Sequence, residues 1–315
     1  MVASWAAAFC ENNAVPDRFS FPMCTICRAR HGQGSVMSSP SMNSIIFNVA
    51  GGAVLLTVGA YMLSSYFLKP AVVPCAGRYP AGFQLTFDGS DGKPMTPIDL
   101  QARSGSREWG LLQNANVVPG DAGSKDSVLN IKLAATDADS GGTENGVGFT
   151  WEPHEIAGAK SACLSYRVFM PADFAFKESG ILPGLFGASD VSQIDELQPA
   201  DSFALRVGWG QAGDAGMDVR IPTSSGFWET PPRKTNWPLD RWVTVEQEVQ
   251  LNTPGKDDGV MRLWIDGVLT IDRGGMPLRN SAQSELSGVV ADVGYARTIG
   301  APADVRISPF VLQWQ

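Results

Sequence analysis

From residue 83 to residue 315, apolar and polar residues alternate in short runs separated by clusters of Gly, Pro, Asn and Asp. In the run FALRVGW (203–209), every second side chain is large and apolar, opposite Ala204 and Arg206. The clearest hairpin is GVMRLWIDGVLTIDR, in which Asp266-Gly267 form a two-residue turn. At least nine strands are predicted, and no helical pattern alternates with them. We therefore predict an all-β fold for residues 83–315, an antiparallel two-sheet jelly-roll sandwich.

The chain before this region has a different pattern. From Ser44 to Leu68 it carries no charged residue, and an α-helix of that length rises about 37 Å, enough to cross a bilayer core of about 30 Å. We predict a tail without stable structure at 1–43, one N-terminal transmembrane helix or signal anchor at 44–68, and a linker at 69–82. A buried globular helix and a cleaved signal peptide are the alternatives. A single-pass anchor would place the C-terminal domain outside the cytoplasm, in the periplasm or at the cell surface.

Composition excludes some classes of function. The chain of 315 residues has 24 Lys and Arg against 32 Asp and Glu, a net charge of −8. This is the wrong sign for neutralising phosphates, so we expect no nucleic-acid partner. With only two histidines, the chain has no His-rich metal site.

The five cysteines leave two questions open. The N-terminal segment contains four candidate ligands for a zinc ion, Cys10, Cys24, Cys27 and His31, but their spacing matches no established template. We predict no metal site and no cofactor. Cys75 and Cys163 both follow the uncharged run, and they can pair if that side of the membrane is oxidising.

Several segments resemble polysaccharide lyase family 14, the alginate and glucuronan lyases. DFAFKESGILPGLFG (173–187) resembles the family's signature, and three further segments follow in the family's order: FALRVGW, RWVTVEQEVQLNTPGKDDGVMRLWIDG and YARTIG. The similarity spans approximately residues 83–314. It implies a concanavalin A-like jelly roll whose concave sheet binds an acidic polysaccharide or another glycan.

The resemblance also implies a reaction. β-Elimination from a uronate polymer needs a group that neutralises the carboxylate, a base that removes the adjacent proton, and an acid for the leaving oxygen. In the family, the lysine of a Gly-Gly-Lys-Leu-Pro-Gly motif and a Tyr-x-Tyr pair supply these roles. Here Ile181 stands at the lysine's position, and Asp218 and Arg220 stand at those of the tyrosines. The catalytic candidates that remain are Arg206, which matches a family arginine, and Tyr295 on the late strand.

Further residues are candidates for binding sugar. By alternation, Arg167, Arg206, Asp218 and Arg220 occupy the polar faces of their strands, and the resemblance implies that they cluster on the concave sheet. Guanidinium groups bind carboxylates bidentately; the alternative is a set of exposed ion pairs of little energetic value. Two tryptophans of the loop GFWETPPRKTNW are candidates for stacking on sugar rings: Trp228 and Trp237.

The sequence thus leaves two main functions open: a lyase-like enzyme for acidic polysaccharide with an altered catalytic set, and a non-catalytic glycan-binding module of the cell surface. A glycoside hydrolase is a weaker third, because it requires two carboxylates about 5–10 Å apart. Glu246 and Glu248 are the only obvious pair for that role. His154, in WEPHE, and Lys177 are further candidate bases.

Overall fold

The computed structural model describes residues 42–67, 72–120, 125–133, 145–296 and 302–315. The candidate zinc ligands Cys10, Cys24, Cys27 and His31 lie outside the described residues. The chain forms two compact units, residues 1–70 and 71–315. In the first unit, helix α1 covers Met42–Phe67, so a helix is present where one was predicted at 44–68. Among the residues that are described, no helix is long and apolar enough to cross a membrane, and the transmembrane assignment is not confirmed.

The described residues of the second unit form seventeen strands. In chain order they are β1 (Ala81–Leu85), β2 (Glu108–Trp109), β3 (Ala115–Val118), β4 (Val128–Leu133), β5 (Gly148–Trp151), β6 (Ser161–Met170), β7 (Gly180–Ala188), β8 (Ser202–Trp209), β9 (Ala215–Ile221), β10 (Ser224–Glu229), β11 (Arg241–Gln250), β12 (Gly259–Ile265), β13 (Val268–Met276), β14 (Glu285–Val290), β15 (Gly294–Tyr295), β16 (Ala303–Ile307) and β17 (Phe310–Trp314). Two short helices, α2 (Pro97–Gln101) and α3 (Leu111–Asn114), and 3₁₀ turns at His154–Ile156 and Val191–Asp195 lie in the connections.

The strands form two antiparallel sheets, as predicted. The larger sheet has nine strands in the order β13-β12-β11-β6-β16-β4-β3, with β17 paired to β6 and β1 paired to β17. The smaller sheet has eight strands in the order β10-β9-β8-β7-β14-β5-β2, with β15 paired to β7. The sheets bury one continuous apolar core, formed by alternate side chains such as Leu164 and Val168 of β6 and Leu205 and Val207 of β8.

A bulge in the central strand β7 is held from across the core. Pro183 has no N–H to donate to a neighbouring strand, and the register of β7 against β8 shifts between Leu182 and Gly184. The hydroxyl of Tyr166 donates to the carbonyl of Pro183 at 2.9 Å. The buried amide of Gln247 accepts from the Leu185 N–H at 2.7 Å and donates to the Leu205 carbonyl at 2.8 Å. These bonds fix the position of β7, which lies in the middle of the smaller sheet.

The segment predicted as a linker, 69–82, includes part of the compact unit. Cys75 and Cys163 form a disulfide with their Cα atoms 5.8 Å apart, which ties residues 72–80 to the larger sheet. The completely buried carboxylate of Glu248 accepts hydrogen bonds from Tyr79, from Arg78 at 2.8 Å and from Arg262 at 2.8 Å.

This arrangement is inconsistent with a hydrolase role for Glu246 and Glu248. Burial raises the pKa of Glu248, but the hydrogen bonds from Tyr79 and Arg262 and the two guanidinium charges outweigh it and hold the pKa below its usual range. A catalytic acid needs the opposite shift. Glu246 is also buried, and it accepts from the Ala76 N–H at 2.7 Å. The pair therefore anchors the 72–80 segment.

We expect loss of the disulfide to destabilise the sandwich. The bridge joins residues 88 positions apart, and closing a loop of that size stabilises a fold by typically about 2–4 kcal/mol. Denaturant unfolding of the Cys75→Ala/Cys163→Ala variant should show a loss of that order. A reductant should lower the stability of the wild-type chain but not that of the variant. Equal stability of the wild type and the variant would show that the bridge has no such role.

Candidate functional site

The outer face of the smaller sheet carries a row of four glycines and one isoleucine. Residues that pair directly in antiparallel strands point to the same face. Ile181 of β7 pairs with Gly294 on one side and with Gly208 of β8 on the other, and Gly208 pairs with Gly216 of β9. Gly148 of β5 faces the same way, because its neighbours Val147 and Phe149 belong to the core. We call these five residues, Gly148, Gly294, Ile181, Gly208 and Gly216, the glycine row. Gly148 lies diagonally across from Gly294, because Val147 pairs with Val293, and four strand spacings of about 4.8 Å give the row an extent of about 19 Å across the strands.

Two tryptophan rings pack directly on the glycine row. A Cβ atom built on Gly216 would collide with Cε2 of Trp228, and one on Gly208 would lie 3.0 Å from Cη2 of the same ring. A Cβ atom on Gly148 would collide with Nε1 of Trp109. Only glycine leaves room for these rings. Trp109 and Trp228 are both half-buried, and the half-buried Ile181 lies between them along the row.

Beside the glycine row lies a group of paired charges. Arg206 is 1% exposed; its Nε donates to Asp292 at 2.6 Å and its Nη2 to Asp195 at 2.7 Å. Arg107 binds the same two carboxylates, with Nη1 2.6 Å from Asp292 and Nε 2.6 Å from Asp195. Two arginines therefore share two aspartates, and Asp292, whose side chain is 2% exposed, lies between both guanidinium groups.

A second arginine–aspartate pair extends this group. Nε of Arg220 donates to Asp218 at 3.0 Å, and its Nη1 donates to the backbone carbonyl of Asp195. Asp218 also lies 3.9 Å from Nη1 of Arg206. We call the six residues of this enlarged group the ion network: Arg107, Arg206, Arg220, Asp195, Asp218 and Asp292.

The ion network is balanced in charge. Burial raises the pKa of Asp292, but the charges of Arg206 and Arg107 and their hydrogen bonds outweigh this and hold it below its usual range. Burial lowers the pKa of Arg107, and the two aspartates outweigh that effect and raise it. With both groups ionised at neutral pH, three guanidinium groups face three carboxylates.

The 3₁₀ turn Val191–Asp195 explains why these charges are buried. Ile194 of this turn packs on the outer face against Phe186, Ala204 and Val290, and all four side chains are fully buried. The turn also brings Asp195 to the guanidinium groups of Arg206 and Arg107. One half of the outer face is thus covered, while the glycine row lies on the other half.

The structure brings together four of the predicted site residues. Arg206, Asp218 and Arg220 meet in the ion network, and Trp228 pairs with Asp218 across β9 and β10. They share one face because β8, β9 and β10 are neighbours in the smaller sheet.

Three other predicted residues lie elsewhere. Arg167 is on β6 of the larger sheet, with its guanidinium 5.3 Å from the centre of the Trp242 ring, so its placement beside Arg206 is wrong. Trp237 is 4% exposed, and its Nε1 donates to the Gly208 carbonyl from the core side. Tyr295 packs in the core 6.0 Å from Trp209, and burial raises the pKa of its hydroxyl. Strand alternation alone does not reveal which sheet a strand joins, and this is the reason for the misplacement of Arg167.

Four charged or aromatic residues of the site were not predicted, Arg107, Trp109, Asp195 and Asp292, and neither were the four glycines of the row. Arg107 and Trp109 lie at a strand of only two residues, and Asp195 lies in a turn. The sequence could have identified Asp292, because a lone aspartate within the apolar run VVADVGY is expected to be buried and paired. The candidate bases His154 and Lys177 are exposed and lie in turns.

The model of the family described as polysaccharide lyase 14 matches residues 121–295, more than half of the chain. The chain therefore belongs to polysaccharide lyase family 14. No curated protein matches it.

Solved structures agree with this fold. The PL-14 alginate lyase from Aplysia kurodai has 20% identity and a TM-score of 0.58, over 66% of this chain and 90% of the lyase. The alginate lyase vAL-1 from Chlorella virus has 14% identity and a TM-score of 0.55, over 64% and 89%. The alginate lyase Aly36B has 13% identity and a TM-score of 0.56, over 75% and 97%. At these identities the similarity establishes the sandwich fold.

We expect Asp292→Asn to destabilise the domain by about 3–5 kcal/mol at neutral pH, because it leaves two arginines without their shared buried partner. Since the folded-state pKa of Asp292 is depressed, its stabilisation is present above the unfolded pKa of about 4 and is lost as the pH falls towards the folded value. Denaturant unfolding of the wild type and the variant should therefore differ most at pH 7 and converge at low pH.

The control for this experiment is Asp91→Asn, which changes an exposed carboxylate 3.5 Å from Lys93. Exposed pairs of this kind contribute about 0–1 kcal/mol. A loss of stability for Asp292→Asn no larger than that of the control would refute the role given to the ion network.

Proposed function

We propose that this chain binds a polysaccharide along the glycine row and does not cleave it by the elimination mechanism of its family. The observation that carries the proposal is the place of Ile181. It stands at the position of the family's catalytic lysine, on the outer face and between the rings of Trp109 and Trp228. An apolar side chain there supplies surface contact and no proton transfer.

The neighbouring groups do not replace the missing lysine. The glycine row and the ion network contain no lysine, histidine or tyrosine, and the tyrosine pair of the family is replaced by Asp218 and Arg220, which bind each other at 3.0 Å. Tyr295 faces the core. Each lost acid or base typically reduces the rate on the order of 10²–10⁴-fold, so we expect no β-elimination at this face.

The same surface is suited to holding sugar rings. A tryptophan ring provides a large rigid apolar face and a polar N–H at its edge, a combination that matches the apolar faces and hydroxyl edges of a sugar. Two such rings lie on one row of about 19 Å, which follows from four strand spacings. The rings are fixed by direct packing on glycine backbone, so they need little ordering when a ligand binds.

Location outside the cytoplasm, in the periplasm or at the cell surface, is part of the proposal. It is supported by the bond between Cys75 and Cys163, because disulfides persist in oxidising compartments. A membrane anchor stays a prediction from the uncharged run at 44–68.

The first test is binding by Trp228→Ala. The full chain is titrated with a panel of acidic and neutral polysaccharides, and we expect the variant to weaken binding by about tenfold or more, the effect of truncating an aromatic anchor. Trp242→Ala is the matched control, because Trp242 is a half-buried tryptophan on the larger sheet, 5.6 Å from Phe169. If both variants lose affinity equally, or if neither does, the glycine row is not the binding site.

The second test is for cleavage. Elimination creates an unsaturated uronate that absorbs in the ultraviolet, and we expect no absorbance increase when the full chain is incubated with alginate or glucuronan. Ile181→Lys alone should also give none, because Asp218 and Arg220 still replace the tyrosines. An absorbance increase with the wild-type chain, abolished by Arg206→Ala, would instead establish a lyase.

A further inference from the structure

We propose that the glycine row selects a neutral polysaccharide and rejects uronate polymers. This inference rests on the proposed function and adds the class of sugar. It is based on the pairing and burial of the three arginines beside the row. A uronate carboxylate would need these guanidinium groups as its partners.

Each nitrogen of the Arg206 guanidinium donates to a group within the protein. Its Nε binds Asp292 at 2.6 Å, its Nη2 binds Asp195 at 2.7 Å, and its Nη1 donates to the Ile194 carbonyl at 3.3 Å. With 1% of its side chain exposed, it does not reach the surface. The one arginine that matches the family's pattern is therefore committed within the protein.

The two other arginines are engaged in the same way. Arg107 contacts Asp195 and Asp292 through Nε, Nη1 and Nη2, and its side chain is 17% exposed. Arg220 binds the Asp218 carboxylate and the Asp195 carbonyl. A uronate carboxylate must displace one of these aspartates before it can form its own bidentate pair. Breaking one of these charge pairs is unfavourable, and this disfavours an acidic ligand.

The most exposed side chain of the ion network is the carboxylate of Asp195; Arg220 and Arg107 are less exposed, at 21% and 17%. The Asp195 side chain is 50% exposed and that of Asp218 is 21% exposed, while Arg206 lies beneath them. Carboxylates accept hydrogen bonds from sugar hydroxyls but repel a second carboxylate. The net charge of −8 on the chain acts in the same direction. Asp195 and Asp218 thus attract sugar hydroxyls and also repel an acidic ligand.

The test compares polymers that differ only in charge. Alginate is treated chemically so that its carboxylates become primary alcohols, and the full chain is titrated with the native and the reduced polymer of matched length, beside neutral glucan, mannan and galactan. We expect at least one neutral polymer to bind about tenfold or more tightly than native alginate, and reduced alginate to bind more tightly than native alginate.

A pair of variants tests the cause of the preference. Asp195→Asn removes one negative charge and releases donors of Arg107 and Arg206, so it should shift the preference about tenfold towards native alginate. Glu196→Gln is the matched control; it makes the same charge change at the adjacent exposed position and should leave the preference unaltered.

Two results would overturn the inference in different ways. If native alginate binds more tightly than every neutral polymer and Trp228→Ala abolishes that binding, the charge preference is refuted and the proposed function stands. If no polymer of the panel binds, both are refuted.

Discussion

The buried carboxylate of Asp292, held between Arg206 and Arg107, is the interaction on which the arrangement of the outer face depends. It fixes Arg206 of β8 and Arg107 next to β2, and through Asp195 it holds the 3₁₀ turn over one half of the sheet. Such a charge is tolerated in a protein interior only when its pairing is complete. The pairing engages both arginines within the protein. The fold of a lyase is thus retained while its cationic groups act within the protein.

The other half of the face depends on a steric constraint. Trp109 and Trp228 reach the backbone of the sheet only because Gly148, Gly208 and Gly216 have no side chains. Ile181 completes this surface, near the start of a strand whose bulge is held by Tyr166 and Gln247 from the opposite sheet. This apolar row beside the ion network is the surface to which we assign sugar binding in the proposed function.

The sequence was sufficient for the fold and for part of the site. Strand alternation and the family motifs predicted the sandwich, and they placed Arg206, Asp218 and Arg220 on one polar face. They failed for Arg167, because alternation gives the face of a strand and not its sheet. They also failed for Trp237 and Tyr295, whose loop and strand pack inwards. Asp195 and Arg107 could not be predicted as partners, because 88 residues separate them and their pairing depends on how a turn folds over the sheet.

The most direct measurement is a crystal structure of the full chain with an oligosaccharide from the polymer that binds best. The account predicts an intact ligand whose sugar rings lie against Trp109 and Trp228 and cross Ile181, with its hydroxyls near Asp195 and Asp218 and the Arg206–Asp292 pair unbroken. A ligand bound away from the glycine row, a cleaved product with an unsaturated end, or a ligand carboxylate paired with Arg206 would contradict it.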